Sequence, residues 1–146
     1  MHRNYYLFEK QVHSLNKRLQ SCTISDCFTH RKDELVIILK SDEEWFLRIG
    51  LNSQLPYLMM DSPQVIKDPR IHFFKELTGK KTTNFKIVPY DKIVYLSAEE
   101  YRLKCVFFGK NRNVFMQDSK DTIIQTFKKT NGSLNHQEKD YPDPIL

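Results

Sequence analysis

Apolar positions recur at helical spacing at the start of this chain and then switch to a period of two. Tyr5, Phe8, Val12, Leu15 and Leu19 stand 3, 4, 3 and 4 residues apart, the stripe of an amphipathic helix. Asn4 sits where an N-cap would accept from a first-turn amide. From Ser21 the alternation predicts strands over Thr23–Phe28, Leu35–Leu39, Trp45–Leu51 and Leu55–Met60. The unbroken apolar run Leu35–Leu39 suits a strand covered on both faces. The connections HRKDE, SDEE and NSQ are short and polar, so these strands form an antiparallel meander, and Pro56 places its strand at an edge or at its own beginning.

Asp61-Ser62-Pro63 interrupts the pattern. Asp68-Pro69 then reads as a cap with proline at the first helical position, and Ile71, Phe74 and Leu77 predict a short second helix stopped by Gly79. Extended chain resumes over Lys80–Val88, turns at Tyr90-Asp91-Lys92 and continues over Ile93–Leu96. RLKCVFFGKNRNVFMQD, Arg102 to Asp118, reads as a hairpin. Leu103, Cys105 and Phe107 share one face, Lys104, Val106 and Phe108 the other, and the turn is built from Gly109, which can take positive φ, and the tolerant Asn111 and Asn113. Asp118 to Asp121 leads into Ile123, Ile124 and Phe127, a predicted third helix ended by Lys128, Lys129 and Asn131-Gly132. SLNHQEKDYPDPIL at the end carries two prolines and no period, which reads as a linker.

Composition adds charge to this picture. The 146 residues suit one domain of ordinary size, with 23 basic and 18 acidic side chains giving a net charge of +5. The excess is segregated: Lys67–Lys92 carries seven cations against three anions and Arg102–Lys129 seven against two, whereas Lys32–Glu44 carries two against five. One side of the domain is therefore expected to be basic and to suit a polyanion, although any exposed turn such as Lys110 to Arg112 also gathers cations for solubility. Cys22, Cys27 and Cys105 form no ligand or redox motif and are expected to be reduced and buried, with Cys22 and Cys27 on opposite faces of a regular strand. Neither a secretory signal nor a membrane span is evident, which predicts a cytoplasmic protein. No triad, phosphate loop or metal set is visible, and Asp42-Glu43-Glu44 and Glu99-Glu100 read as solvated turns.

The order of several strings carries a resemblance. The helix ending in LNKRL, the phrase SDCFTHRKDELVIIL, PYDKIVYL, the hairpin LKCVFFGKNRNVFMQD and the final YPDP together resemble the N-terminal domain of the NFACT family, which includes proteins named as fibronectin-binding. The resemblance implies an α+β fold, an antiparallel β-sandwich-like sheet with flanking helices, related to the N-terminal domain of formamidopyrimidine-DNA glycosylases. It further implies a domain over residues 1–130 and a linker, 131–146, to a following domain. Tyrosines 90, 95 and 101 could stack on bases, though strand tyrosines are more often core or cross-strand partners.

By the same resemblance, the chain is expected to be a noncatalytic RNA-binding module that engages tRNA or ribosomal RNA and the large ribosomal subunit in ribosome-associated quality control. No cofactor, membrane or small-molecule substrate is expected. The family's Asp-Arg pair falls on Asp91 and Lys92, where lysine keeps the charge and loses the planar fork. Lys86, Lys110, Arg112 and Asn113 complete the expected RNA site if Lys80–Lys92 and Lys104–Arg112 lie side by side. By the resemblance, Gly109 matches the family's hairpin turn, and Asn4 falls at an acidic position of the family's first helix. The glycosylases use an N-terminal proline amine, whereas this chain begins Met1-His2-Arg3, so catalysis is not expected. The alternative is a protein-interaction domain, fibronectin-binding-like, with no nucleic-acid role.

Overall fold

Period-two sequences bury one face at a time, and the described strands solve this by laying two sheets against each other. The computed structural model describes residues 21–52, 54–66, 70–88 and 93–129. Within them lie β1 (Thr23–Arg31), β2 (Glu34–Lys40), β3 (Glu44–Gly50), β4 (Tyr57–Asp61), β5 (Ile71–His72), β6 (Thr82–Val88), β7 (Ile93–Ala98), β8 (Tyr101–Val106), β9 (Asn113–Gln117) and β10 (Ile123–Thr126). Sheet A has the order β4-β3-β2-β1-β5 and sheet B the order β10-β9-β8-β7-β6. All the pairings within them are antiparallel.

The core lies between the sheets. Ile24, Cys27, Leu35, Ile37, Leu47 and Ile49 from sheet A meet Phe85, Val94, Leu96, Leu103, Cys105 and Met116 from sheet B in one apolar cluster. Strand β2 is the middle strand of sheet A and is buried from Glu34 to Leu39. Its inner side chains enter that cluster, while Val36 and Ile38 join Phe28 and Phe46 in a second cluster on the outer face, against Ile66. Pro56 does precede an edge strand, β4. Val106, on the face with Lys104, is half-buried on the outer side of sheet B.

The α+β expectation is overturned among the described residues, where the only helical element is one 3₁₀ turn, Lys75–Leu77. The expected second helix is instead β5, which pairs His72 with Phe28 and Ile71 with Thr29, followed by that turn. An apolar residue every third position fits a short edge strand running into a 3₁₀ turn as well as an α-helix, and the open edge of β1 supplies the backbone partners. Phe74 takes φ +52° at this corner and is buried, so packing offsets an unfavourable backbone conformation.

The expected third helix is β10. Thr122, Ile123, Ile124 and Thr126 are β-branched, the segment is too short to nucleate a helix alone, and β9 lies ready beside it. Asp118 Oδ1 accepts from the amides of Lys120 and Thr122, and Asp121 takes φ +64°, which closes a hairpin turn rather than capping a helix. The expected first helix, its cap Asn4 and the linker 131–146 lie outside the described residues.

A bulge corrects the expectation for the cysteines. The pairing of β1 with β2 slips between Ile24 and Asp26, so Cys22 and Cys27 both face the core despite their odd separation. All three thiols are free and buried. Burial holds Cys27 well above the ordinary thiol value, helped by Asp26 and Cys105, and pushes Cys105 up to about 12.

Candidate functional site

On a sandwich of this kind the inner faces are committed to the core, which leaves the two outer faces for chemistry. Sheet B carries Lys86, Lys104 and Arg102 on its outer face. Register places Lys86 beside Tyr95, Tyr95 beside Lys104 and Lys104 beside Phe115, so an aromatic ring stands between two cations in one cross-strand row. Two strand spacings put the backbones of Lys86 and Lys104 about 10 Å apart. In the adjoining row Arg102 lies over the Tyr95 ring at 4.2 Å, bonds Gln117 Oε1 at 3.0 and 3.1 Å, and pairs with Asp121 at 2.9 Å.

The structure does not assemble the expected RNA site as the sequence suggested. Segments Lys80–Lys92 and Lys104–Arg112 are not side by side, because β7 runs between β6 and β8. Asp91 and Lys92 lie outside the described residues. Lys110 is exposed in the β8–β9 turn, where Gly109 takes the left-handed φ of +91° expected of it. Arg112, half-buried, donates from Nε to the Leu51 carbonyl at 3.0 Å and from Nη1 to the Gly109 carbonyl at 2.8 Å, so its guanidinium ties the turn to sheet A. Asn113 is buried: it donates to the Lys128 carbonyl at 2.7 Å and accepts from the amides of Lys128 and Val114. Lys128 continues the tie with an ion pair to Asp33 at 2.6 Å.

Sheet A presents a different outer face. Glu34, Gly50 and Tyr57 are aligned across β2, β3 and β4. A Cβ on Gly50 would stand 2.2 Å from the Tyr57 ring, so the glycine is what lets that ring lie across β3 and carry its hydroxyl to Glu34 Oε2. The other Glu34 oxygen accepts from Arg48 Nη1 at 3.0 Å, while Arg48 Nε pairs with Asp61 at 2.8 Å and Nη2 bonds Gln64 at 2.9 Å. Burial and the bond to Glu34 push the Tyr57 hydroxyl up to about 12, so it stays a donor at neutral pH.

Two cavities adjoin this network. One of about 410 Å³ lies between the β1–β2 turn and the β3–β4 loop, lined by Arg31, Lys32, Asn52, Gln54, Leu55 and Tyr57. Another of about 320 Å³ has Phe28 and Phe46 among its lining, with Gln64, Val65 and Ile66 from the segment that follows β4. Arg31 and Glu34 line both. The alternation of Glu34, Arg48 and Asp61 at outward positions was the sequence signal for this network. It was hidden because Glu34 reads as one more acid in a solvated run, and because pairing across three strands requires the register.

Among the described residues no group of His, Cys, Asp and Glu side chains could hold a metal ion, and no helix is long and apolar enough to cross a membrane. No protein-family model matches the sequence, and comparison with curated proteins likewise gives no match. Solved structures do match. The N-terminal domain of the fibronectin-binding protein PavA from Streptococcus pneumoniae superimposes with a TM-score of 0.77 at 18% identity, over 90% of this chain and 56% of that one. The N-terminal part of the fibronectin/fibrinogen-binding protein of Streptococcus suis gives 0.76 at 17% identity, over 97% of this chain and 57% of that one. The fibrinogen binding protein of Staphylococcus aureus gives 0.70 at 17%, over 85% and 49%. The chain thus spans about half the length of the structures it matches, and at these identities the likeness establishes that it has the fold of fibronectin-binding protein N-terminal domains.

Proposed function

We propose that this chain is a noncatalytic domain that binds a protein partner. The observation that carries the reading is the placement of exposed apolar side chains. Leu55, Met59, Val65 and Ile71 are the large hydrophobic residues exposed among the described ones, and all four belong to sheet A or the segments attached to it. Leu55, Met59 and Val65 stand on or beside β4, with Ile71 at the opposite edge of the sheet, and exposed apolar side chains rimmed by polar groups are a usual mark of a protein contact. The names of the structural neighbours, as fibronectin- or fibrinogen-binding proteins, support the same class of partner. Biolayer interferometry against immobilised fibronectin and fibrinogen tests it. Saturable binding that persists at moderate salt is expected, because apolar contacts are screened little.

A second reading rests on the row Lys86–Tyr95–Lys104. Neither lysine has an ion-pair partner among the described residues, and a ring between two cations suits an unpaired base flanked by phosphates. Under this reading the resemblance to NFACT proteins extends to function, with tRNA or ribosomal RNA as partner and a cytoplasmic site of action. A domain that binds neither protein and instead binds tRNA with a steep salt dependence would transfer the function to this reading.

A further inference from the structure

We propose that the partner enters sheet A's outer face as an extended peptide carrying an acidic side chain between apolar ones, with the acid seated against Arg31. This deepens the protein-binding reading and rests on it. The two cavities meet at Arg31 and Glu34, which line both. Glu34 is already satisfied by Arg48 and Tyr57, and in the first cavity Asp33 is paired with Lys128. The side chains of Arg31 and Lys32 have no ion-pair partner among the described residues, so the uncompensated charge where the cavities meet is positive. A carboxylate would meet a guanidinium able to bind it with two parallel hydrogen bonds.

On either side of that point the surface turns apolar. Leu55 is 68% exposed at the first cavity, and Val65 is 89% exposed over the second, which also has Phe28 and Phe46 in its lining. An extended peptide sends every second side chain to the same side, about 7 Å apart. In the proposed complex Arg31, which lines both cavities, takes the acid, and the apolar residues at the alternate positions on either side of it go to Leu55 in the first cavity and Val65 in the second. Arg31 ends β1, Leu55 and Val65 stand in the segments before and after β4, and the neighbouring Glu34 and Asp33 are already paired, so the carboxylate of the peptide meets no free local acid.

Fluorescence anisotropy of a labelled peptide with the core Leu-Ser-Glu-Ser-Leu tests the proposal on the full chain. Its glutamine counterpart should bind roughly fivefold more weakly, and Arg31→Glu should weaken the glutamate peptide by about tenfold, since a like charge replaces an opposite one. The same variant should favour the lysine counterpart of the peptide, a reversal that unfolding cannot produce. Val65→Ser should weaken both the glutamate and glutamine peptides, whereas Lys86→Glu on sheet B should change neither. Equal binding of glutamate and glutamine peptides, or unchanged binding by Arg31→Glu, would overturn the assignment. If Arg31→Glu keeps full affinity for fibronectin or fibrinogen, the groove is wrong and the protein-binding reading survives. If the parent chain binds no protein or peptide at all, the reading itself falls.

Discussion

The two sheets share one core and differ in what they turn outward. Sheet A covers its outer face with Phe28, Val36, Ile38 and Phe46 and closes its central charges into the Glu34–Arg48–Asp61 network. Sheet B leaves Lys86 and Lys104 outward in one row with Tyr95, without ion-pair partners among the described residues, and ties the neighbouring Arg102 to Gln117 and Asp121. Charges that are paired in advance fix geometry and add little field, whereas unpaired ones act at a distance. Net charge therefore points to sheet B, while exposed apolar surface points to sheet A, and a reading based on charge counts alone favours the wrong sheet if the partner is a protein.

The largest expected effect separates inner from outer positions. Leu47→Ala removes a fully buried side chain from the shared core and should cost about 2–5 kcal/mol, whereas Val106→Ala, half-buried on sheet B's outer face, should cost under about 1.5 kcal/mol. Urea unfolding measures both. Equal losses would show that sheet B's outer face is packed as tightly as the core.

Next in size is the glycine beneath the tyrosine. Gly50→Ala should destabilise by about 1–3 kcal/mol, because the new Cβ drives the Tyr57 ring off its seat and strands Glu34 with one partner fewer. In a Tyr57→Ser background, where no ring remains, the same substitution should cost markedly less. A cost unchanged in that background would mean the close approach is irrelevant to stability.

A pH profile sharpens the contrast further. The Tyr57 hydroxyl titrates near 12 in the folded protein, above its ordinary value of about 10, so the folded state holds its proton longer than the unfolded chain. The stabilisation from this group is complete below the unfolded value and is lost as pH rises from about 10 through 12. Tyr57→Phe should flatten that part of the profile. A parent and variant that lose stability in parallel over this window would remove the Glu34–Tyr57 bond from the account.

How much of this was legible in sequence follows from range. The meander β1–β4 and the β8–β9 hairpin were readable because alternation and short polar connections are local properties. β5 and β10 were misread as helices because their apolar spacing is ambiguous, and the deciding partners, β1 and β9, lie far away or across a turn with no Gly. Arg112 read as part of a basic tip and Asn113 as a turn residue of the RNA site, yet their partners Leu51 and Lys128 are brought to them by the packing of sheet on sheet and by β10. Glu34, Arg48 and Tyr57 were invisible as a group for the same reason: 14 residues separate Glu34 from Arg48 and 23 separate it from Tyr57.

The smallest expected change in stability belongs to the row on sheet B, and it is the change that decides between the two readings. Lys86 is exposed and Lys104 half-buried, and neither has an ion-pair partner among the described residues, so Lys86→Glu should move stability by roughly 0.5 kcal/mol or less and Lys104→Glu by little more. The fold is then intact while the sign of the row is reversed. If the row binds nucleic acid, affinity for tRNA in filter binding should collapse. The log-log salt slope should also flatten by roughly 0.7 to 0.9 for each phosphate contact removed. If sheet A is the working surface, the same double variant should bind fibronectin or fibrinogen as the parent does, while Arg31→Glu should not. Loss of protein binding in the sheet B variant, with sheet A untouched, would mean that the basic row, and not the apolar side, faces the partner.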